Sequence, residues 1–482
     1  MEQNVSTPLA RHAPENGPLE VDLAAAVSSQ RGSSETPQQT WPSPPQAWYA
    51  LFVLMVVLLL AILDRQIITL LVEPIKGDLG ISDTQMSLLM GFAFVTFYVL
   101  IGLPISRLSD VGNRRLTIGV GLTLWSTMTT ACGLAQNYWQ LFAARVGVGV
   151  GEACNGPATF SLLSDYFPPQ KLPVALSVLS IGFYVGTALA NIVGSRVVAL
   201  TSTLQANTVP LIGALHPWQA SFFLVGLPGL AVVALLFTMK EPKRRGVLAE
   251  DGEAKQRANS RGMPFKEVVK FLADNWKTYI PLYAGLAFRL MVTVGAAVWL
   301  PTFLHRTYEW TNEQSGFAIG AVQLPVSLLG LVSGGFLAQR LAERGYTDAN
   351  LRVNLISTLL VLPTSILFPL MPAPWLALTI FGANCYFTTL GTGPIAAALQ
   401  IITPNQLRAQ LSAVFLLVFN LLGMGLGPLV VAFLTDHIFG VESALRYSLS
   451  CSAAILLPLA CLSFWFGLRP YRASVTRAKA WS

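Results

Sequence analysis

The sequence predicts an all-α integral membrane protein with twelve transmembrane helices arranged as two six-helix bundles. Three observations carry that reading: an apolar composition, twelve windows long enough to cross a bilayer, and a polar, basic interruption halfway along the chain. Hydrophobic residues make up 53% of the 482 and charged residues 11%, whereas a soluble globular chain carries about 25% charged residues. So apolar a surface needs lipid rather than water against it.

A helix crossing a hydrocarbon core of roughly 30 Å needs about 20 predominantly apolar residues. Such windows recur at 47–72, 86–106, 114–135, 139–163, 173–199, 219–239, 278–304, 315–338, 352–371, 375–401, 409–435 and 445–467. The net charge of +7 follows this topology instead of forming a nucleic-acid-binding patch. With both termini cytoplasmic, the inward loops and tail hold Arg107, Arg114, Arg115, Lys171, the basic stretch after Lys240, Arg340, Arg344, Arg352, Arg408, Arg469, Arg472, Arg477 and Lys479. The outward loops hold little beyond Lys76, Arg196, Arg306 and Arg446. That asymmetry is the positive-inside rule. Short loops and a plain tail fit a bacterial inner membrane.

The polar interruption divides the chain into a polar cytoplasmic tail at 1–45, a first bundle at 46–240, a linker at 241–275, a second bundle at 276–470 and a short cytoplasmic tail at 471–482. The linker ends in PFKEVVKFLADNW, an amphipathic stretch that fits either a helix lying along the membrane surface or a solvated connector. The first tail is rich in Ser, Pro, Gln and Glu and lacks the basic start and apolar core of a signal peptide. Cys132, Cys154, Cys385, Cys451 and Cys461 lie within apolar windows without metal-ligand spacing, so they read as small packing residues.

The halves resemble one another, as expected of a transporter built from repeats. GPATFSLLSDYFPPQKLPVALSVL from Gly156 and GPIAAALQIITPNQLRAQLSAVF from Gly393 each place Gly-Pro in a helix, then a proline-bearing turn, then a helix opened by small residues.

The stretch SRLSDVGNRR, with Ser106, Asp110, Arg114 and Arg115, resembles the loop after the second helix of the major facilitator superfamily, although Ser106 and Asn113 stand where that family usually has glycine. Leu141, Arg145, Gly149, Gly151 and Ala153 resemble its fourth-helix motif. Glu152 followed by NGPA, and the LDRQ of the first helix, are similar to the Spinster-like branch, which moves lysophospholipids, sphingosine phosphate or related amphiphiles. The resemblance implies that Asp110 holds the bundles together, pairing with arginines such as Arg114 and Arg115 and with the start of the eleventh helix, just after Arg408. An ordinary cluster of stop charges at a membrane face is the plainer alternative.

Ionised groups at the bilayer centre cost about 2.5–3.5 kcal/mol each on insertion scales, so they persist only when paired or useful. Five stand inside apolar windows: Asp64, Arg65, Arg145, Glu152 and Arg289. Arg145 and Glu152 are seven residues apart, which places them on one helix face about 10.5 Å apart in height, too far to pair. Glycines at 147, 149 and 151 let another helix approach closely. Glu152 and Asp64 are candidates for proton coupling, because burial and a neighbouring arginine act on a carboxylate in opposite senses. Arg145, Arg65 and Arg289 offer planar forks to a carboxylate or phosphate. Structural alternatives stand beside these roles: Arg145 tying its helix to Asp64, and Arg289 pairing with Asp64 or Glu152 across the bundles. Tyr184 and Asn155 could add hydrogen bonds to substrate or serve helix packing alone.

No Walker loop, HExxH, GxSxG or paired-cysteine signature is present, so neither an enzyme nor an ATP-driven pump is expected, and no cofactor or metal. The fifth helix, GFYVGTALANIVG, lacks the Gly-Pro pattern of drug antiporters. The expectation is a monomeric secondary transporter working by alternating access. Its partners would be an amphiphilic organic anion, protons and membrane lipid, with no nucleic acid. A small organic acid or drug is the alternative cargo, and a nontransporting receptor the remote one.

Overall fold

The protein is described from a computed structural model over residues 41–203, 207–209, 213–244, 265–404 and 407–478. Twelve spans alternate between two membrane faces, called here the linker face and the far face. The first half contributes Pro44–Leu70, then Asp83–Ser87 running through a π-helical turn into Ala93–Val111, Arg114–Cys132, a broken fourth span of Tyr138–Glu152 and Asn155–Tyr166, Leu172–Ser202 and Pro217–Phe237. The second half contributes Trp276–Tyr308, Asn312–Glu343, Ala349–Leu367, a broken tenth span of Pro374–Leu390 and Thr392–Ile401, an eleventh from Arg408–Val418 through two π-helical turns, and Leu445–Ala478. A short helix, Val72–Leu79, and a hairpin pairing Asn207–Val209 with Gly213–Leu215 lie on the far face.

Local chemistry sets the helix ends. Pro44, Pro217 and Pro374 occupy first-turn positions, where a missing N–H costs nothing. Ser82 and Thr311 form capping boxes with Gln85 and Gln314. Asn113 caps the third span by accepting from Leu116 N at 2.8 Å with φ of −76°, so this position does not require glycine.

Nine helices among the described residues are long and apolar enough to cross a membrane by length and composition alone. The other three predicted spans depart for visible reasons. The third begins with two arginines and is rich in Ser and Thr. The fourth and tenth are interrupted immediately before the repeated Gly-Pro pairs, Gly156-Pro157 and Gly393-Pro394. Proline lacks the N–H that would continue the ladder and crowds the preceding turn. The repeat read in the sequence is thus a repeat of helix breaks.

The halves meet along two seams. On the eighth span, Gly316 and Gly320 lie so close to Ser195, Asn191 and Ala188 of the fifth that a Cβ at either would collide with them. On the second span, Gly91 faces the Met424 carbonyl of the eleventh, π-helical turn against π-helical turn. The amphipathic helix Phe265–Asp274 does not float at the surface. Val268 is buried, and Phe271 and Leu272 pack with it against Tyr279, Leu282, Leu468 and Tyr471.

The far face is clamped by charge. Asp83, fully buried, receives both terminal nitrogens of Arg306 at 2.6 and 2.8 Å and the Lys76 ammonium. Arg306 also reaches Glu73 at 2.7 Å and Glu442 at 3.3 Å, and Lys76 reaches Glu442 at 2.7 Å. Asp436 accepts from Thr84 N at 2.7 Å, and Arg196 pairs with Glu313. Of these, Arg306 with Asp83 and Glu73, Lys76 with Glu442, Thr84 with Asp436 and Arg196 with Glu313 join the two halves. On the linker face, by contrast, the described ion pairs stay within a half: Arg114 with Asp165 and Glu241, and Arg352 and Arg472 with Asp348. Among the described residues, the ion pairs that join the halves therefore all lie at the far face.

Removing one partner from a buried ion cluster leaves an uncompensated charge and costs about 3–5 kcal/mol. Asp83→Asn is expected to favour opening at the far face, read as a longer distance between spin labels placed at Gly77 and Val441 by pulsed electron resonance. An unchanged distance distribution would show that Asp83 does not hold this face shut.

Candidate functional site

The four charged residues of the first half come together at the centre of its bundle. Glu152 ends the first piece of the fourth span, where the helix breaks, and Asp64 and Arg65 lie near the end of the first. Arg65 donates to Glu152 through Nε at 2.7 Å, and its NH2 lies 2.5 Å from the same oxygen. Its guanidinium stands 4.6 Å from the Phe94 ring centre and 5.4 Å from that of Tyr98. Asp64 accepts from the Thr129 hydroxyl at 3.2 Å. Arg145 donates to two backbone carbonyls, of Asp64 at 3.3 Å and of Leu89 in the π-helical turn at 3.5 Å.

Arg145 does not pair with Glu152, as the spacing on one helix face predicts, and its tie to the first span runs through the backbone of Asp64. Close approach makes the cluster possible. A Cβ at Gly149 would meet the Phe94 carbonyl, and one at Gly151 would lie 2.6 Å from Trp125 N. These two glycines therefore let the second and third spans press against the charged face of the fourth.

Asp64, Arg145 and Glu152 are 2%, 0% and 1% exposed, while the Arg65 side chain retains 27%. Arg65 is the member of the quartet with accessible surface. Each of the other three keeps one buried polar atom without a protein partner: Oδ1 of Asp64, NH2 of Arg145 and Oε1 of Glu152. Buried polar atoms are ordinarily satisfied, so three in one cluster mark a site with capacity for another proton or ligand.

In the second half, Arg289 is buried at the broken tenth span. It donates to Asn354 Oδ1 at 3.1 Å and to the carbonyl of Thr388, in the last turn before the break. A cation there meets the partial negative charge of a helix C-terminus. Gly391 supplies the room, since a Cβ would lie 2.5 Å from the Arg289 NH1. No carboxylate partners Arg289 among the described residues, and its contacts lie within its own half, not with Asp64 or Glu152. Tyr184, half-buried on the fifth span of the first half, stands near Thr392 and Arg289 of the second. Asn155 accepts from the Thr159 hydroxyl at 2.8 Å, inside its own helix.

The pair Arg114 and Arg115 is bound to its own half. Arg114 pairs with Asp165 and with Glu241 at 3.0 Å, while Arg115 donates through its backbone to Glu241 at 3.0 Å and lies 5.4 Å from the Phe237 ring centre. The side chains of Asp110 and Arg408 lie outside the described residues. The far-face cluster around Asp83 escapes a reading of the sequence. Its only signal there is that three of the few outward cations, Lys76, Arg196 and Arg306, each have an acid within the same set of loops.

Comparison with known proteins agrees with this architecture. Residues 54–428 match the family model of the Major Facilitator Superfamily. An MFS-type efflux pump of Mycolicibacterium smegmatis is 28% identical over 458 residues, covering 93% of this chain and 99% of the relative. Protein spinster homolog 3 of Danio rerio is 25% identical over 430 residues, covering 84% and 80%. The crystal structure of a bacterial homolog to the human lysosomal transporter Spinster, inward-facing and unoccupied, superposes with a TM-score of 0.71 at 24% identity, covering 91% of this chain and 98% of that one. The chain belongs to the Major Facilitator Superfamily and is similar to Spinster-named transporters within it.

Proposed function

We propose that this transporter moves an amphiphilic organic anion, of the lysophospholipid or sphingoid-phosphate type, by alternating access, with anion binding linked to proton binding. The observation that carries the proposal is the buried quartet in which only Arg65 is accessible and Glu152 is its partner. With all four groups ionised the quartet is neutral. An anionic head group arriving at Arg65 competes with Glu152 for the same guanidinium, which binds phosphate or carboxylate through a planar fork. Glu152, once displaced, is a buried carboxylate without a counter-ion and is held neutral by a proton. Anion and proton then bind together, and Asp64, with its own unpartnered oxygen, is a second place for that proton. Arg289, Tyr184 and Asn155 are the remaining candidate contacts, the first at the broken tenth span and the second on the fifth span near it. Asp110, Arg114, Arg115 and Arg408 are assigned to closure of the linker face, which the proposal places on the cytoplasmic side.

The lipid-like cargo rests on Spinster-named relatives, among them a probable sphingolipid transporter of Arabidopsis thaliana that is 25% identical over 271 residues. The efflux pump that aligns end to end with this chain favours a second reading, export of a small drug-like molecule. Tail length separates the two. A tail in contact with an apolar wall contributes about 0.8 kcal/mol per methylene, so removing two methylenes from a lysophospholipid weakens binding about tenfold. Affinity that is flat across chain lengths would favour the small-molecule reading.

Proton linkage is tested in liposomes holding purified protein, by uptake of radiolabelled lysophospholipid with and without an imposed pH gradient. Wild-type uptake is expected to respond to the gradient, and Glu152→Gln to lose the response while still binding the anion. Equal wild-type uptake in both conditions would reject the linkage. Arg65→Gln should reduce uptake at least about tenfold, since a charged hydrogen bond contributes about 1.5–3 kcal/mol.

A further inference from the structure

Away from the central cluster, a pair of basic side chains lines a cavity on the outer surface of the second half at the linker face. There the amphipathic helix Phe265–Asp274 turns through Asn275 into the seventh span, and the twelfth span runs on past Pro470 to Ala478. A cavity of about 420 Å³ opens between them, with Asp274, Trp276, Lys277, Thr278, Ala473 and Arg477 in its wall, so that two cations stand against one carboxylate. Its frame is fixed: the Thr278 and Ser474 hydroxyls bond at 2.9 Å across it, and Phe271 stacks edge-on against Tyr279.

The charges in this cavity are uncommitted. Asp348, the nearby buried carboxylate, is taken by Arg352 and Arg472 at 2.7 and 2.6 Å. Arg477 donates to Ser474 at 3.1 Å, Lys277 stands over the Trp276 ring, and neither has a carboxylate partner among the described residues. The Asn275 side chain turns back to the Phe271 carbonyl at 2.9 Å and leaves the start of the 33-residue seventh span uncapped. The positive end of that helix adds to the two cations.

Below the cavity the surface is apolar and follows one seam. The seventh and twelfth spans touch where a Cβ on Gly467 would lie 3.2 Å from Pro281. The residues beside that contact, Ile280 and Phe466, are 59% and 68% exposed. Spacing on the twelfth span keeps Arg477, Ala473, Pro470, Phe466 and Leu462 on one helical stripe. Two cations therefore crown an apolar groove on the lipid-facing side, with an exposed tryptophan at the boundary, a residue that favours the membrane interface.

We propose that this groove binds an anionic phospholipid, its phosphate held by Lys277, Arg477 and the start of the seventh span and its chains laid along Ile280, Phe466 and Leu462. Occupancy ties the amphipathic helix and the twelfth span to the seventh. The site is separate from the transported cargo and stands whether or not that cargo is a lipid.

Native mass spectrometry of the full-length protein tests it, with phosphatidylglycerol and phosphatidylcholine of identical acyl chains offered in turn. Wild type is expected to retain phosphatidylglycerol preferentially. Each of Lys277→Gln and Arg477→Gln should reduce that preference about fivefold, as for a basic residue near an anionic surface, and Ile280→Ala should weaken both lipids alike. Melting temperatures in detergent without added lipid should match wild type, since these side chains are exposed. Equal retention of the two lipids by wild type, or an unchanged preference in the double variant, would overturn the proposal. Displacement of phosphatidylglycerol by millimolar inorganic phosphate would assign the site to free phosphate instead of lipid and would overturn it equally.

Discussion

The pairing of Arg65 with Glu152 is the interaction around which the first half is built. Ionised groups far from water are tolerated only where partners stand at hydrogen-bond distance, and this requirement reaches into the surrounding helices. The fourth span carries glycine at 149 and 151 because Phe94 and Trp125 occupy the space a side chain would need. Its helix breaks just after Glu152. The second span passes Arg145 in a π-helical turn, from which Leu89 offers its carbonyl. The second half meets the same requirement with a different device. Arg289 has no acid beside it among the described residues and is balanced by the broken end of the tenth span and by Asn354. One half balances its cations mainly with a carboxylate, the other with a helix end.

Much of this was legible in the sequence, and the limits follow a pattern. The twelve spans could be read because the bilayer demands a fixed run of apolar residues. The Gly-Pro repeat could be read, though as lying within continuous helices and not as a pair of breaks, and the separation of Arg145 from Glu152 could be read in helical periodicity. These are local properties. The partners were not local: Arg65 and Glu152 stand 87 positions apart, Lys76 and Glu442 366 apart. The few outward cations looked like exceptions to the charge bias. In the fold Lys76, Arg196 and Arg306 are fastenings between the halves, and Arg446 donates to the Met371 carbonyl at 3.3 Å. The linker's amphipathic stretch fitted either a surface helix or a solvated connector. Only the contacts of Val268 and Phe271 with the seventh and twelfth spans show it to be part of the second half's core.

The two membrane faces differ in what it takes to separate the halves. At the far face, separation strips Asp83 of its Arg306 contacts, which are buried from water, and removing a partner from a buried charge is expensive. On the linker face the described ion pairs hold together parts of a single half and survive such a motion intact. Arg114 with Glu241 and Arg472 with Asp348 therefore stiffen each bundle without joining the two.

At the level of the central site Tyr184 of the first half stands near Thr392 and Arg289 of the second. A ligand shifts a conformational balance only through contacts that differ between the two states. One bound to Arg65 alone travels with the first half and shifts nothing. One that also reaches past Tyr184 to the groups around Arg289 touches both halves. The energy such a ligand must supply is then set at the far face, where Asp83, Arg306, Lys76 and Glu442 would have to part.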